Sequence, residues 1–290
     1  MALIVIILSL FIERFLGSLE ELRSFDWFTR YCAWLCQRLP KTPSWEGPLA
    51  LTLVLAGPFA GVLLLTAMLA NLSFLLVFLF AIVALLYSLG PRDLEAEVEA
   101  FVDASERDDN ESAAWHASVL LGKAAPDSTP GLYRAITENI LTEANERILA
   151  IIFWFVILGP AGALLYRLTA QLRERYASAD SAFADAVQRL HFILAWLPVR
   201  LCALAYVLGG SFVDAMHGWR NTVADEHDAN RNVLLASGLG ALRFDPVDDT
   251  AETDEQSLLD EVKEAMALVR RAVMVYLALL AVLILSGWTF

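Results

Sequence analysis

The chain has 290 residues, of which 58% are hydrophobic and 19% charged, with a mean hydropathy of +0.55. That is more apolar than an ordinary globular domain and identifies an integral membrane protein. A formal net charge of −13 excludes nucleic acid as a partner, because binding phosphates needs clustered Lys and Arg.

In chain order, residues 1–90 read as N-terminal membrane helices. "MALIVIILSLFIERFLG" is apolar for too short a stretch before Glu13 and Arg14 to span alone. It has no basic leader region and no small-residue cleavage site, and reads as an uncleaved membrane helix. Leu49–Ala70 and Leu72–Leu89 each approach the length that crosses roughly 30 Å of hydrocarbon. Only "NLS" separates them, which predicts a tight hairpin over 49–89. Basic residues Arg14, Arg23, Arg30, Arg38 and Lys41 precede it and Arg92 follows, placing its tip outside and its flanks in the cytoplasm.

Residues 91–147 read as a cytoplasmic helical region. "PRDLEAEVEAFVDA" has Pro91 at a helix start, acids in the first turns, and Leu94, Val98, Phe101 and Val102 on one face. "TPGLYRAITENILTEANER" repeats the pattern with Leu132, Ile136 and Ile140. "ESAAWHASVLLG" between them is a third helix, and no strand is expected. Residues 148–213 hold two further apolar segments, Ile148–Tyr166 and His191–Phe212, joined by a basic linker with Arg167, Arg173, Arg175 and Arg189. A periplasmic linker would violate the positive-inside tendency. Gly159-Pro160 and Pro198 are therefore expected to break the two segments, with one or both re-entrant, leaving the linker cytoplasmic. An acidic cytoplasmic region, 214–271, and a C-terminal membrane helix, 272–290, complete an all-α polytopic membrane bundle.

Residues suited to chemistry are few. "ASVLLGKAAPDSTPG" contains Gly122-Lys123 but fails as a phosphate loop: Ala117 replaces the first glycine, Ala124 follows the lysine, and a helix precedes it. His116, His191, His217 and His227 show no zinc spacing, and "DEHDAN" lacks the glycine and terminal glutamate of a calcium loop. No metal is expected, and the acidic run Asp245–Asp260 reads as a solvated linker. Cys32, Cys36 and Cys202 read as small packing residues in a reducing compartment. What remains lies at the membrane boundary: Glu13 and Arg14 in an apolar helix, Glu138 and Asn139 before a span, Tyr166 and Arg167 at its end, and Arg200 inside an apolar run. Singly these are snorkelling or interfacial residues. Together they form a candidate polar pocket for a nucleotide or another anionic small molecule. Arg200 needs an acceptor at that depth, and Glu13 or Glu138 is the expected partner. Gly57 and Gly61, in "GPFAG", form a GxxxG face suited to a partner's transmembrane helix, to self-association or to packing within the bundle.

"GPAGALLYRL" at 159–168, "LAWLPVRLCALAYVLGG" at 194–210, "ITENI" at 136–140 and "FIERF" at 11–15 together resemble the AmpE family, inner-membrane proteins associated with β-lactamase induction. That family resembles in turn the adenosylcobinamide-phosphate synthases, membrane enzymes that form an amide late in cobalamin assembly. The features shared with the synthases are Glu138-Asn139, Gly159-Pro160 through Tyr166-Arg167, and Pro198 with Arg200 and Leu201. The chain departs from them at Thr142, where an Asp stands in the synthases, at "LTAQL" in place of an Asn-Thr-Leu-Asp run, and at "GKAAPDST" in place of Gly-Arg-Asp-Thr. The resemblance implies a bacterial inner-membrane, multi-pass regulatory or sensor protein that keeps the scaffold and thins the catalytic carboxylates. Two alternatives stand beside it: an amide-forming synthase of the cobalamin type, and an adaptor for a partner's transmembrane helix.

Overall fold

The computed structural model describes residues 2–16, 25–38, 47–90, 93–126, 128–222, 228–243 and 255–285. They form twelve α-helices: α1 (Ala2–Leu16), α2 (Asp26–Arg38), α3 (Pro48–Leu72), α4 (Phe74–Ser88), α5 (Leu94–Glu106), α6 (Asn110–Leu121), α7 (Thr129–Ala144), α8 (Ala150–Arg175), α9 (Ala182–Gly209), α10 (Phe212–Asn221), α11 (Ala229–Leu242) and α12 (Glu255–Leu285). No strand occurs among the described residues. Among the described residues four helical stretches, Pro48–Leu72, Thr129–Arg175, Ala182–Gly209 and Glu255–Val282, are long and apolar enough to cross a membrane, while Ala2–Glu13 and Phe74–Ser88 are shorter apolar helices. The protein is an all-α polytopic membrane bundle.

The chain divides into two compact units, one of Met1–Pro91, Ala150–Trp196 and Leu283–Phe290, the other of Arg92–Leu149 and Leu197–Val282. The first carries the 49–89 hairpin. Ser73 turns the chain, accepting a hydrogen bond from the Leu75 N–H at 3.2 Å, which supplies one of the partners a helix start lacks. Leu64, Met68, Leu72, Phe74 and Leu75 are exposed, as expected for a surface in contact with lipid. The hydroxyls in these apolar helices fold back on their own backbone. Thr66 donates to Val62 O at 2.7 Å, Ser88 to Ala84 O at 2.7 Å and Thr169 to Leu165 O at 2.8 Å, leaving no hydroxyl of these three bare in hydrocarbon. Phe28, Leu51, Val54, Leu55, Leu164, Leu168, Leu172 and Val187 form the core of this unit.

In the second unit α5 and α7 bury Leu94, Val98, Phe101, Ile136 and Ile140, the faces their periodicity predicts; Leu132 and Val102 are only partly covered. α5 begins at an Asp93 cap, whose carboxylate accepts from Glu95 N–H at 3.0 Å; Pro91 lies outside the described residues. Asp109 caps α6 by accepting from Ser112 N–H at 3.0 Å, and this backbone bond holds its carboxyl below the ordinary carboxylate range. Gly122 adopts φ 63°, the left-handed cap that ends α6. Its place beside Lys123 is therefore a helix stop and not a phosphate cradle.

Two expectations about broken helices fare differently. Gly159 leaves helical geometry inside α8, at φ 64° and ψ −153°, and the chain bends so sharply that a Cβ on Gly162 would collide with the Trp154 carbonyl oxygen. Pro198, by contrast, sits inside a helix running continuously from Ala182 to Gly209. Proline removes the N–H that would reach the Leu194 carbonyl, normally a cost of several kcal/mol in a helix interior. Here the Trp154 indole N–H donates to that carbonyl at 3.0 Å, so the freed group is satisfied without opening the helix. Trp154→Phe should therefore destabilise the protein by about 1–3 kcal/mol, the cost of a buried unpaired carbonyl. In a Pro198→Ala background, where a backbone N–H returns, thermal unfolding should show most of that cost gone. The basic linker is also shorter than its composition suggests. α8 runs to Arg175 and α9 starts at Ala182, because Leu168, Leu172, Ala186 and Val187 continue an apolar face into the core.

Candidate functional site

The candidate residues fall into both units, each described on its own. In the second unit α7 carries Glu138 and Asn139, α9 carries Arg200, and α11 supplies Asn230 and Arg231. Arg200 Nη1 donates to Asn230 Oδ1 at 2.8 Å. Arg231 Nη2 pairs with Glu138 Oε2 at 3.0 Å, and Arg134 Nε with Glu138 Oε1 at 3.3 Å. The start of α11 thus gathers α7 and α9 through two adjacent side chains. One acceptor of Arg200 is thus a neutral amide, and Glu138 is held by the arginine next to that amide. Two guanidinium groups pair with Glu138 and a third, that of Arg200, is bonded to the adjacent amide, and arginine can grip a carboxylate or phosphate ligand with paired N–H donors. The Arg134 and Arg231 side chains are about half exposed, so these ion pairs fix position more than they stabilise.

Close packing puts α11 there. A Cβ at Gly238 would lie 2.8 Å from Leu141 Cδ1 of α7, and one at Gly240 would lie 2.6 Å from Asp214 O of α10. Asn139 is committed elsewhere: its Nδ2 donates to Leu120 O at 2.9 Å, closing the end of α6. Below it α7 passes into a π-helical turn, Asn145–Leu149, a local register change often found at functional sites. There Tyr206 donates its hydroxyl to Leu141 O at 2.7 Å. The Asn145 side chain is fully buried, and among the described residues neither its Oδ1 nor its Nδ2 has a hydrogen-bond partner. Such a group costs about 1–3 kcal/mol when left unsatisfied. Asn145→Leu is accordingly expected to raise the unfolding temperature, and the same variant assayed for function shows whether the amide is kept for a ligand.

In the first unit, Tyr166 and Arg167 lie on α8 beyond the Gly159 bend. Tyr166 is fully buried and Arg167 is 7% exposed. The Arg167 guanidinium stands 5.8 Å from the centroid of the Phe25 ring, within cation–π range. Phe25 packs on Tyr87, which accepts from the Trp27 indole at 2.7 Å. His191 of α9, 3% exposed, has its ring 5.6 Å from that of Tyr166 and its Nδ1 3.5 Å from Arg173 Nη1. Glu13 is partly buried on α1, and the Arg14 side chain lies outside the described residues. Gly57 is already covered within the chain, since a Cβ there would meet the Tyr31 hydroxyl, whereas Gly61 has nothing within 4 Å. Cys32 and Cys202 are buried, and the Cys36 side chain and residues 225–227 and 244–254, covering most of the acidic run, lie outside the described residues. Among the described residues no three His, Cys, Asp or Glu side chains gather as a metal site.

Sequence reasoning missed Asn145, His191, Asn230 and Arg231. His191 was seen only as a histidine without zinc spacing. Asn230 and Arg231 follow an acidic stretch of sequence and carry no motif; their role comes from the packing of α11. Asn145 had a signal, an amide one turn beyond Leu141 on an apolar helix face.

Comparison with known proteins gives the chain a family. It is 32% identical over 169 residues to a cobalamin biosynthesis protein CobD of Chromobacterium violaceum, covering 55% of this chain and 53% of that protein. It is 30% identical over 165 residues to a CobD of Stutzerimonas stutzeri, covering 56% and 54%. The matched region thus spans about half the length of these two relatives. Protein AmpE of Shigella flexneri is 26% identical over 233 residues, 77% of this chain and 78% of that protein. No solved structure matches the chain. The family model described as CobD/Cbib protein matches residues 6–245, a stretch that takes in the α7, α9 and α11 cluster, the Gly159 bend and the Arg167 site, and the chain belongs to that CobD/Cbib family.

Proposed function

We propose that this protein is a membrane-embedded, amide-forming synthase of the cobalamin-assembly type, located in the bacterial inner membrane. The observation that carries the reading is the arginine cluster of α7, α9 and α11 within the matched family region. Amide formation joins a carboxylate to an amine and needs the carboxylate activated by a phosphate-bearing co-substrate. Arg200 and Arg231 supply guanidinium donors for those anions, and Glu138 keeps Arg231 in place. Two relatives named for cobalamin biosynthesis support this choice.

A second reading, an AmpE-like regulatory or sensor protein that binds an anion without turning it over, is favoured by a specific observation. Thr142 stands where the synthases carry an Asp, and its hydroxyl is bonded back to Glu138 O at 3.0 Å and Asn139 O at 3.1 Å. It offers no group for proton transfer. The purified full chain, given ATP, a primary amine and a corrinoid acid, separates the two. The synthase reading predicts ATP-dependent amide product, reduced at least about a hundredfold in Arg200→Gln, as loss of a charge-stabilising group in an active site typically does. Binding of the corrinoid acid with no product would establish the regulatory reading instead.

A further inference from the structure

A second amphipathic site lies in the first unit, apart from the residues given a role in the proposed function. A cavity of about 300 Å³ opens between α2 and the end of α8, lined by Phe28, Thr29, Cys32, Gln171, Leu172, Glu174 and Arg175. Its floor is apolar, with Phe28, Cys32 and Leu172 buried. Its rim carries both signs of charge: Glu174 and Arg175 are exposed neighbours at the end of α8. Arg175 Nη1 donates to Thr29 Oγ1 at 2.8 Å, tying the two walls together. A guanidinium has five N–H donors in a planar fork, so this bond leaves donors for an anion.

The position of α2 fixes the surroundings of this cavity. Trp27, Tyr31 and Trp34 recur along one stripe of the helix. Trp27 and Trp34 are 40% and 49% exposed, Tyr31 stacks between Phe28 and Trp34, and Arg38 covers the Trp34 ring at 4.8 Å. Exposed tryptophans and tyrosine beside arginines mark the headgroup level of a bilayer. The same unit carries the lipid-exposed hairpin of α3 and α4. A pocket at headgroup depth with an apolar floor, one cation tied to Thr29 and one exposed carboxylate matches a zwitterionic phospholipid bearing a primary ammonium.

We propose that this cavity is a structural-lipid site for a phosphatidylethanolamine-type headgroup. Arg175, with Thr29 and Gln171, takes the phosphate, Glu174 takes the ammonium, and Phe28 and Leu172 bear on the glycerol and first acyl carbons. The volume is at the lower end for ligand pockets and admits the headgroup while the chains stay in the bilayer. A trimethylated headgroup loses the N–H donors to Glu174, and a glycerol headgroup offers no cation.

The test uses the full chain purified in detergent, with native mass spectrometry after titration of dioleoyl phosphatidylethanolamine, phosphatidylcholine or phosphatidylglycerol. The ethanolamine lipid should be retained with at least about tenfold higher apparent affinity than the other two, the order of one charge-assisted hydrogen bond. Glu174→Gln should abolish that preference while keeping binding, and Arg175→Gln should weaken all three lipids. Both positions are exposed, and an unchanged gel-filtration profile and melting temperature verify the fold. Equal retention of the three lipids, or a preference for phosphatidylglycerol, would overturn the proposal. So would water-soluble phosphoethanolamine competing as well as the lipid, which would make the ligand a free small molecule.

Discussion

Arg147→Met is expected to remove most of the folded protein. Arg147 bonds Glu97 Oε2 through Nη1 at 2.8 Å and Glu143 Oε2 through Nε at 2.6 Å, and its side chain is 13% exposed beside 12% for Glu97 and 29% for Glu143. The three groups tie α5 to the end of α7 where the helix enters its π-helical turn. Taking out the cation leaves two partly buried carboxylates without their compensating charge, and breaking a buried pair in this way typically costs about 3–5 kcal/mol. That is a large fraction of a domain's stability, so abundance in membranes and the melting temperature in detergent should both fall steeply. Replacing all three residues, Arg147→Met with Glu97→Leu and Glu143→Leu, should recover most of the loss, because apolar groups of similar volume need no counter-charge. Arg134→Met, which touches only a half-exposed pair, should cost less than about 1 kcal/mol.

Gly162→Leu is expected to be as damaging by a different route. The Gly159 bend brings α8 back on itself until the Gly162 position meets the Trp154 carbonyl oxygen and lies within 2.6 Å of Leu158 Cβ. A side chain there would press on backbone, which cannot rotate away, and overpacking of this kind costs about 1–3 kcal/mol or more. The bend would also shift Trp154, whose indole satisfies the carbonyl freed by Pro198, so the two losses add. Gly159→Ala isolates the backbone term. Nothing lies within 4 Å of its Cβ position, yet φ 64° with ψ −153° is a conformation almost confined to glycine, and the strain is about 1–3 kcal/mol. Melting temperatures in detergent should rank wild type above Gly159→Ala, and Gly159→Ala above Gly162→Leu.

The helical class and the apolar helices were legible in the sequence because hydropathy and length report directly on burial in lipid. The buried faces of α5 and α7 were legible for the same reason, through their periodicity. Pro198 was misread because local rules count the hydrogen bond that proline removes, whereas the Trp154 indole that replaces it is forty residues away in the chain. The Arg167–Leu190 stretch was misread as linker because its arginines dominate its composition, although its leucines keep helical spacing. Arg200 was recognised as needing an acceptor, since a permanent charge in an apolar run demands one. Which acceptor depended on the close approach of α11 at Gly238 and Gly240, and that packing has no local signature. The motifs pointed first to AmpE, to one member of which the chain is 26% identical, whereas the family model places the chain in the CobD/Cbib family.

The cluster around α11 also explains why one substitution separates structure from function. Gln at position 200 keeps an amide N–H donor for Asn230 Oδ1, which accepts from Arg200 at 2.8 Å. Arg200→Gln should therefore fold and accumulate normally while losing affinity for an anion. The direct measurement is calorimetric titration of the purified wild type and Arg200→Gln with the corrinoid acid, alongside their melting temperatures. The proposed site predicts at least about tenfold weaker binding by the variant, roughly 1.4 kcal/mol, at an unchanged melting temperature. Equal affinity in the two proteins, or a loss of binding that tracks a fall in stability, would contradict it.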